Sequence, residues 1–298
     1  MAHQHSHDHA IRDDRWLGLA IGINVLLTVA QVAGGIFSGS LSLIADALHN
    51  FSDAGALLIA WVARRIGRRP ADARRTFGYR RAEIIAALIN LVTLVLVGLY
   101  LLAEAVQRFF APQVIEGWTV VLVAAVALVV DVFTALLTWK MSASSINIRA
   151  AFLHNVSDAL ASAGVILAGS LILLFRWYWT DTLVTLLIAG YVLHQAAGLL
   201  PQTIRILMQS TPDDIPVSGV IAAMEEVEGV VGVHHVHIWQ LDEQNNALEA
   251  HVAVRDFHRA EQIKTALKKR LAQRFNITHS TLELESEPCD SRDHDDRT

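Results

Sequence analysis

Cysteine is almost absent from this chain, whose 298 residues contain only Cys289. A single thiol excludes an intrachain disulfide framework and a zinc site built from cysteines. Charge is also scarce, because 18% of the residues are charged whereas 53% are hydrophobic. An ordinary soluble domain carries about 25% charged residues. The composition therefore predicts a membrane protein rather than a soluble globular domain.

The N-terminus lacks the apolar core and small-residue cleavage site that a secretory signal peptide needs. Residues 1–15 are instead polar and contain His3, His5, His7 and His9. Such tracts bind divalent metals weakly. We predict a His-rich cytoplasmic tail followed by a membrane helix, with a purification tag or an inert solvated tail as the alternative interpretation.

Six apolar segments approach the length of about 20 residues that crosses a bilayer as a helix. The predicted transmembrane helices are Trp16–Phe37, Leu41–Ala63, Ile84–Val106, Trp118–Lys140, Ile148–Phe175 and Thr182–Met208. The loop after the second segment carries eight Arg, whereas the loops on the opposite side carry few basic residues. The positive-inside rule then places this loop and both termini in the cytoplasm. We expect the Arg-rich loop to face lipid headgroups, not nucleic acid.

The composition changes to that of a soluble domain after residue 210. Amphipathic and alternating patterns predict further elements at Val217–Val227, Val233–Leu241, Ala247–Val254, Ala260–Phe275 and Ser280–Leu284. Their order, α-β-β-α-β, predicts a small two-layer α+β domain over residues 211–286. We therefore divide the chain into the tail, a transmembrane domain at 16–210, this cytoplasmic domain and a disordered tail at 287–298.

The pattern His-Asn-x-Ser-Asp occurs twice inside the apolar segments, once with His49 and Asp53 and once with His154 and Asp158. A spacing of four residues puts each His and Asp on one face of a helix. A lone polar residue in such a helix often only caps, kinks or bonds to a neighbour. Repeated ionisable pairs at membrane depth are costly and indicate function. Two imidazoles and two carboxylates suffice for a four-coordinate divalent metal, most naturally zinc.

Three kinds of metal site are possible for these residues. A hydrolase would need a general base beside its ligands, as in HExxH, and neither copy has a Glu between its His and Asp. A structural zinc site would be closed and preferably rich in Cys. In a transport site, by contrast, His must be neutral to bind metal, so metal release is linked to proton uptake. The sequence favours a non-enzymatic transport site.

Four stretches also carry a resemblance to a known family. They are Ser38 to His49, Arg75 to Glu83, Asn147 to His154, and Val233 to Trp239. With these motifs the chain resembles the cation diffusion facilitators, in particular the bacterial zinc efflux branch, over nearly its whole length. The resemblance implies six transmembrane helices, a metallochaperone-like cytoplasmic domain and a homodimer in the cytoplasmic (inner) membrane. It further implies zinc–proton exchange by alternating access, with His49, Asp53, His154 and Asp158 as the central site.

The same resemblance implies regulatory metal in the cytoplasmic domain, with His234, His251, His258 and Glu283 at the positions of family ligands. Surface or dimer-contact histidines are the alternative interpretation. Along the first strand, alternation puts His234 on the face opposite His235 and His237.

Some family members bind a further metal in the loop after the second helix. Here Asp72 is present, but Arg75 and Tyr79 stand where ligands are expected. Because Arg75 would repel a cation, we predict no metal in this loop.

The leading hypothesis is a secondary exporter that exchanges Zn²⁺ for protons. In the family, His as the first ligand is associated with a preference for zinc over cadmium, for which the nitrogen donor is the physical rationale. A broader exporter of Cd²⁺, Co²⁺ or Ni²⁺ is the first alternative. A membrane-anchored sensor, whose cytoplasmic domain binds metal and signals to a partner, is the alternative from another class. An intramembrane metalloenzyme comes last, for want of a base.

Overall fold

The computed structural model describes residues 25–139, 146–242 and 244–286. The chain divides into two compact units. The first comprises residues up to Ala60 together with Ile89–Leu200, and the second comprises Trp61–Leu88 together with the residues from Pro201 onward. The two predicted tails and the beginning of the first predicted membrane helix lie outside the described residues. The predicted domain boundaries stay predictions.

The described part of each of the six predicted membrane segments falls on a helix. The helices are α1 Val25–Ser38, α2 Leu41–Gly67, α3 Ala82–Phe110, α4 Gly117–Trp139, α5 Ile146–Phe175 and α6 Trp179–Leu207. By length and composition, α3, α4, most of α5 and α6 are apolar enough to cross a membrane. In α2 the polar residues Asp46, His49 and Asp53 lower the average hydropathy. The predicted helical membrane fold is confirmed, and α2, which carries one copy of the repeated motif, is less apolar than α3 to α6.

Small residues allow close packing in the first unit. A Cβ atom on Gly117 of α4 would lie 2.8 Å from the carbonyl oxygen of Gly169 in α5, so only glycine fits there. Large apolar side chains on the outer faces are exposed, among them Leu96, Leu122 and Leu167. Such a surface suits a lipid environment, because exposed apolar side chains are unfavourable in water but favourable against lipid tails.

The second unit contains the predicted α+β domain. Its elements are α7 Val217–Glu225, β1 Val230–Gln240, β2 Asn246–Val254, a 3-10 turn Phe257–Arg259, α8 Ala260–Phe275 and β3 Ile277–Glu285. The strands form one sheet in the order β1-β2-β3, with β1 antiparallel and β3 parallel to β2. Helix α8 connects the two parallel strands, as a crossover connection requires. The predicted α-β-β-α-β order is confirmed.

The core of this domain lies between the sheet and its two helices. Buried apolar side chains from α7, α8 and the strands form it: Val220, Met224, Leu248, Val252, Ile263, Leu267, Leu271 and Ile277. The amphipathic spacing of Ile263, Leu267 and Leu271 along α8 explains which face of that helix is buried. Helix α8 ends at Phe275 and is followed by Asn276, which adopts the left-handed conformation common after a helix.

Candidate metal centre

The four residues of the repeated motif meet in the first unit. His49 and Asp53 lie one turn apart on α2, and His154 and Asp158 lie one turn apart on α5. One donor atom from each of the four lies within 4.8 Å of the others. The spacing within each helix is a local consequence of the sequence, whereas the pairing of α2 with α5 is tertiary.

The donor atoms are arranged as neighbours around a common centre. Nε2 of His49 lies 3.7 Å from Oδ2 of Asp53 and 3.4 Å from Oδ1 of Asp158. Nε2 of His154 lies 3.3 Å from Oδ2 of Asp53 and 3.6 Å from Oδ2 of Asp158. Ligands about 2.0–2.1 Å from a tetrahedral zinc ion are separated from one another by roughly 3.3 Å. The observed separations fit such an ion.

Several of these donor atoms are buried without a hydrogen-bond partner. They are Nδ1 and Nε2 of His49, Oδ2 of Asp53 and Oδ1 of Asp158. Leaving polar atoms unpaired in a buried site costs free energy. A divalent cation would satisfy the atoms that face the centre, so these four residues could hold a metal ion.

A second polar group lies beside the centre. Asp46 of α2 is fully buried and accepts a hydrogen bond from the Gln31 side chain at 2.6 Å. The hydroxyl of Ser162 in α5 lies 2.8 Å from Oδ2 of Asp131 in α4 and 3.4 Å from Oδ2 of Asp46. This geometry gives Asp131 a hydrogen-bond partner on the neighbouring helix.

The other polar residues of the motif make ordinary packing contacts. The Asn50 amide donates to the side-chain oxygen of Gln31 at 3.3 Å. The hydroxyl of Ser157 donates to the carbonyl oxygen of Leu153 within the same helix at 3.1 Å. These contacts agree with interhelical packing or local bonding as their role.

A second cluster lies on the sheet of the second unit and comprises His234, His251 and Glu285. Nε2 of His234 lies 3.3 Å from Oε2 of Glu285, and Nδ1 of His251 lies 2.7 Å from Oε1 of the same carboxylate. Nε2 of His234 is buried and has no hydrogen-bond partner. The two imidazoles and the carboxylate of this cluster could together hold a divalent metal.

The two other predicted ligands of this domain are not among those three residues. Glu283 is 68% exposed in its side chain and lies 3.5 Å from Nε2 of His251, the ring nitrogen opposite the one that faces Glu285. His258 is exposed in the 3-10 turn, where its backbone N–H donates to Oδ1 of Asp256. Sequence reasoning missed Glu285. The alternation of side chains along a strand could have indicated it, because Glu285 lies on the same face of β3 as Glu283.

The expectation of simple alternation along β1 was wrong at one point. The register shifts between His234 and His237, and His235 has a positive φ of 51°. This bulge brings the His235 ring to 4.9 Å from the ring of His251, while the ring of His234 lies 5.4 Å from it. A bulge inserts an extra residue and redirects side chains, which a period of two does not anticipate.

In the Arg-rich loop, Asp72 is surrounded by donors from the chain itself. The Tyr79 hydroxyl donates to Oδ2 of Asp72 at 2.6 Å, and the backbone N–H groups of Arg74 and Arg75 donate to Oδ1. These bonds, that from Tyr79 first, hold the pKa of the Asp72 carboxyl below its usual value. Arg75 also stacks over the Tyr79 ring.

The class is defined by apolar membrane helices, a partly buried cluster of two His and two Asp between α2 and α5, and an α+β domain with a His–Glu cluster. It is that of helical membrane proteins that handle divalent cations. Two family models match the chain: the cation efflux transmembrane domain at residues 17–208 and the cytoplasmic domain of cation efflux proteins at residues 212–287. The chain belongs to the cation efflux family, whose members are transporters.

Full-length relatives agree with this assignment. The chain is 37% identical over 291 residues to the metal cation efflux system protein CzcD of Cupriavidus metallidurans, covering 97% of this chain and 92% of that protein. It is 36% identical over 296 residues to the zinc transporter ZitB of Pectobacterium atrosepticum, with coverages of 99% and 92%. It is 34% identical over 288 residues to a cadmium, cobalt and zinc/H(+)-K(+) antiporter of Bacillus velezensis, with coverages of 95% and 92%.

Proposed function

We propose that the protein exports Zn²⁺ from the cytoplasm in exchange for protons. The observation that carries this proposal is the set of four His–Asp separations where α2 meets α5, which are close to the ligand–ligand distances around a tetrahedral zinc ion. Membership of the cation efflux family and likeness to a relative named as a zinc transporter support the same substrate.

The ligand types supply a way to couple zinc to protons. An imidazole binds zinc only through an unprotonated nitrogen. Protons that reach His49 and His154 from the outer side would convert them to imidazolium and expel the ion. Deprotonation on the cytoplasmic side would restore the ligands for the next zinc ion. A relative named as a proton-linked antiporter supports this coupling.

A broader divalent range is the second candidate. Names of relatives that include cadmium and cobalt favour it. Nitrogen donors at two of the four positions argue for zinc in this chain, because carboxylates alone discriminate less among these ions.

We further propose that His234, His251 and Glu285 bind a regulatory metal ion in the cytoplasm, and that the protein acts as a homodimer in the inner membrane with both termini cytoplasmic. The proposed metal site is supported by the short distances among these three side chains and by the unpaired Nε2 of His234. Glu283 and His258, which the sequence suggested, are weaker candidates on these distances.

Zinc flux in proteoliposomes with an imposed pH gradient tests the proposal. The chain with native ligands should move zinc in response to the gradient. His154→Ala and Asp158→Ala should lower this flux by at least ~100-fold, because losing even an outer partner of a metal ligand costs about 10–100-fold. The matched control is Ser157→Ala, whose hydroxyl bonds only within its own helix in the structure.

Each other outcome has a distinct meaning. Flux that ignores the gradient would contradict proton exchange and leave a passive zinc pathway. No flux, with zinc still bound by the cytoplasmic domain, would favour the membrane-anchored sensor. Normal flux by Asp158→Ala would exclude the four-residue centre as the transport site.

A further inference from the structure

The N-terminus of α2 is held by a residue 141 positions away in sequence. Oδ1 of Asp181, in the first turn of α6, accepts hydrogen bonds from the hydroxyls of Ser40 and Ser42, each at 2.6 Å. The backbone N–H of Leu41 donates to Oδ2 at 2.8 Å, and the N–H of Ser42 lies within 3.3 Å of the same carboxylate. Asp181, Ser40 and Ser42 are all fully buried.

These bonds complete the cap of α2. The first four N–H groups of a helix lack partners within it. The Ser40 hydroxyl oxygen accepts a hydrogen bond from the N–H of Leu43 at 3.2 Å, as an N-cap residue does. The Asp181 carboxylate accepts hydrogen bonds from the N–H groups of Leu41 and Ser42. The negative carboxylate also faces the positive end of the helix dipole. Asp181 therefore accepts hydrogen bonds from four donors at the start of α2.

Other helices fix the same turn. The Arg108 guanidinium of α3 donates to the carbonyl oxygen of Gly39 at 2.5 Å. The backbone N–H of Glu116, just before α4, donates to the carbonyl oxygen of Ser38 at 2.9 Å. The N-terminal end of α2 is thus bonded to three surrounding segments, and Asp181 makes the largest share of those bonds.

The contact between Asp181 and the start of α2, here called the clamp, lies at a defined distance from the four His and Asp residues. His49 stands eight residues after Leu41, or ~12 Å along the axis at 1.5 Å per residue. Tyr191 stands ten residues after Asp181, or ~15 Å along α6. The rings of His49 and Tyr191 meet edge to face, with centroids 6.2 Å apart. Helices α2 and α6 therefore run in the same direction and contact each other at these two levels, at Asp181 and at Tyr191.

We propose that Asp181 is a positioning residue for the zinc site. By fixing the start of α2 against α6, it sets the height of His49 and Asp53 opposite His154 and Asp158. This inference rests on the proposed zinc transport and adds a residue outside the ligand set. A slip of α2 along its axis would lengthen the His–Asp separations across the centre, so zinc would bind more weakly.

Asp181→Asn tests the inference, because an amide nitrogen would replace one acceptor and oppose the donors of α2. We expect the zinc concentration for half-maximal flux to rise ~10-fold, as for other groups that orient metal ligands, with the maximal rate largely retained. Thr185→Val is the matched control. Its hydroxyl donates only to the Asp181 carbonyl oxygen within α6, and it is equally buried.

A lower maximal rate with unchanged half-saturation, or no change at all, would overturn the positioning role. If Asp181→Asn does not fold, the double variant Ser40→Ala/Ser42→Ala decides. It keeps the carboxylate and removes two donors, and it should shift half-saturation in the same direction by less. Unchanged half-saturation in that variant would overturn the inference.

Zinc affinity of the detergent-solubilised full chain, measured against a competing chelator, is the second readout. If the native chain binds zinc but moves none, the proposed function fails. The affinity difference between the native chain and Asp181→Asn would still test the positioning role. Equal affinities, with zinc flux intact in the native chain, would overturn the positioning role alone.

Discussion

The four residues of the proposed zinc site differ in access to solvent. The side chains of His49 and Asp158 are 4% and 10% exposed, whereas those of Asp53 and His154 are 33% and 39% exposed. One residue of each helix is thus buried and the other is open. We expect the ion to enter and leave past Asp53 and His154, with His49 and Asp158 forming the closed side in this conformation.

This difference predicts unequal thiol reactivity. In a Cys289→Ser background, which removes the single native cysteine, His154→Cys should react with a small polar thiol reagent at least ~10-fold faster than His49→Cys, since only accessible thiolates react. Mass spectrometry of the modified chain measures both rates. Equal rates would contradict an opening on the His154 side.

At His49 the ligand type is predicted to set selectivity. Replacing this nitrogen donor by a carboxylate, in His49→Asp, should reduce the preference for zinc over cadmium by about tenfold, or ~1.4 kcal/mol. Competition between the two ions for flux in proteoliposomes measures the ratio. An unchanged ratio, with His49→Asp still active, would show that His49 does not bind the ion directly.

At the scale of elements, β1, β2 and β3 bring the cytoplasmic cluster together. His234 pairs with His251 across the antiparallel strands, and His251 pairs with Glu283 across the parallel ones. The bulge after His234 changes the direction of the side chains in β1. As a result the carboxylate of Glu285, two residues beyond Glu283, lies between the two imidazoles. Register alone points to Glu283, whereas the side-chain distances point to Glu285.

Two matched variants separate these possibilities. Glu285→Gln should weaken metal binding at the cytoplasmic site at least ~10-fold, because its oxygens face both His234 and His251. Glu283→Gln removes the same charge from an exposed position and should have a smaller effect. Zinc titration of the full chain in a His154→Ala background isolates this site, and a larger effect of Glu283→Gln would reverse the assignment.

At the scale of the whole molecule, the uneven distribution of Arg predicts orientation. From the eight Arg between the second and third membrane segments, the positive-inside rule predicts that this loop and both termini are cytoplasmic. The lone Cys289 is then a native reporter for the C-terminus. In intact cells a membrane-impermeant maleimide should leave Cys289 unlabelled, and permeabilisation should expose it.

A second reporter controls for reagent access. Gln113→Cys, introduced with Cys289→Ser, lies in a loop predicted to be outside and should react in intact cells. If Cys289 is labelled before permeabilisation while Gln113→Cys is not, the predicted orientation is wrong and the C-terminus lies outside.

The sequence by itself determined the ligand pairs of α2 and α5, because a four-residue spacing fixes the face of a helix whatever surrounds it. It also determined the order of elements in the α+β domain, because hydrophobic periodicity is local. Only the tertiary structure decided that Glu285 lies between His234 and His251, since Glu283 and Glu285 share one strand face. It alone showed that Asp181 caps α2, because that contact joins residues 141 positions apart and leaves no local pattern.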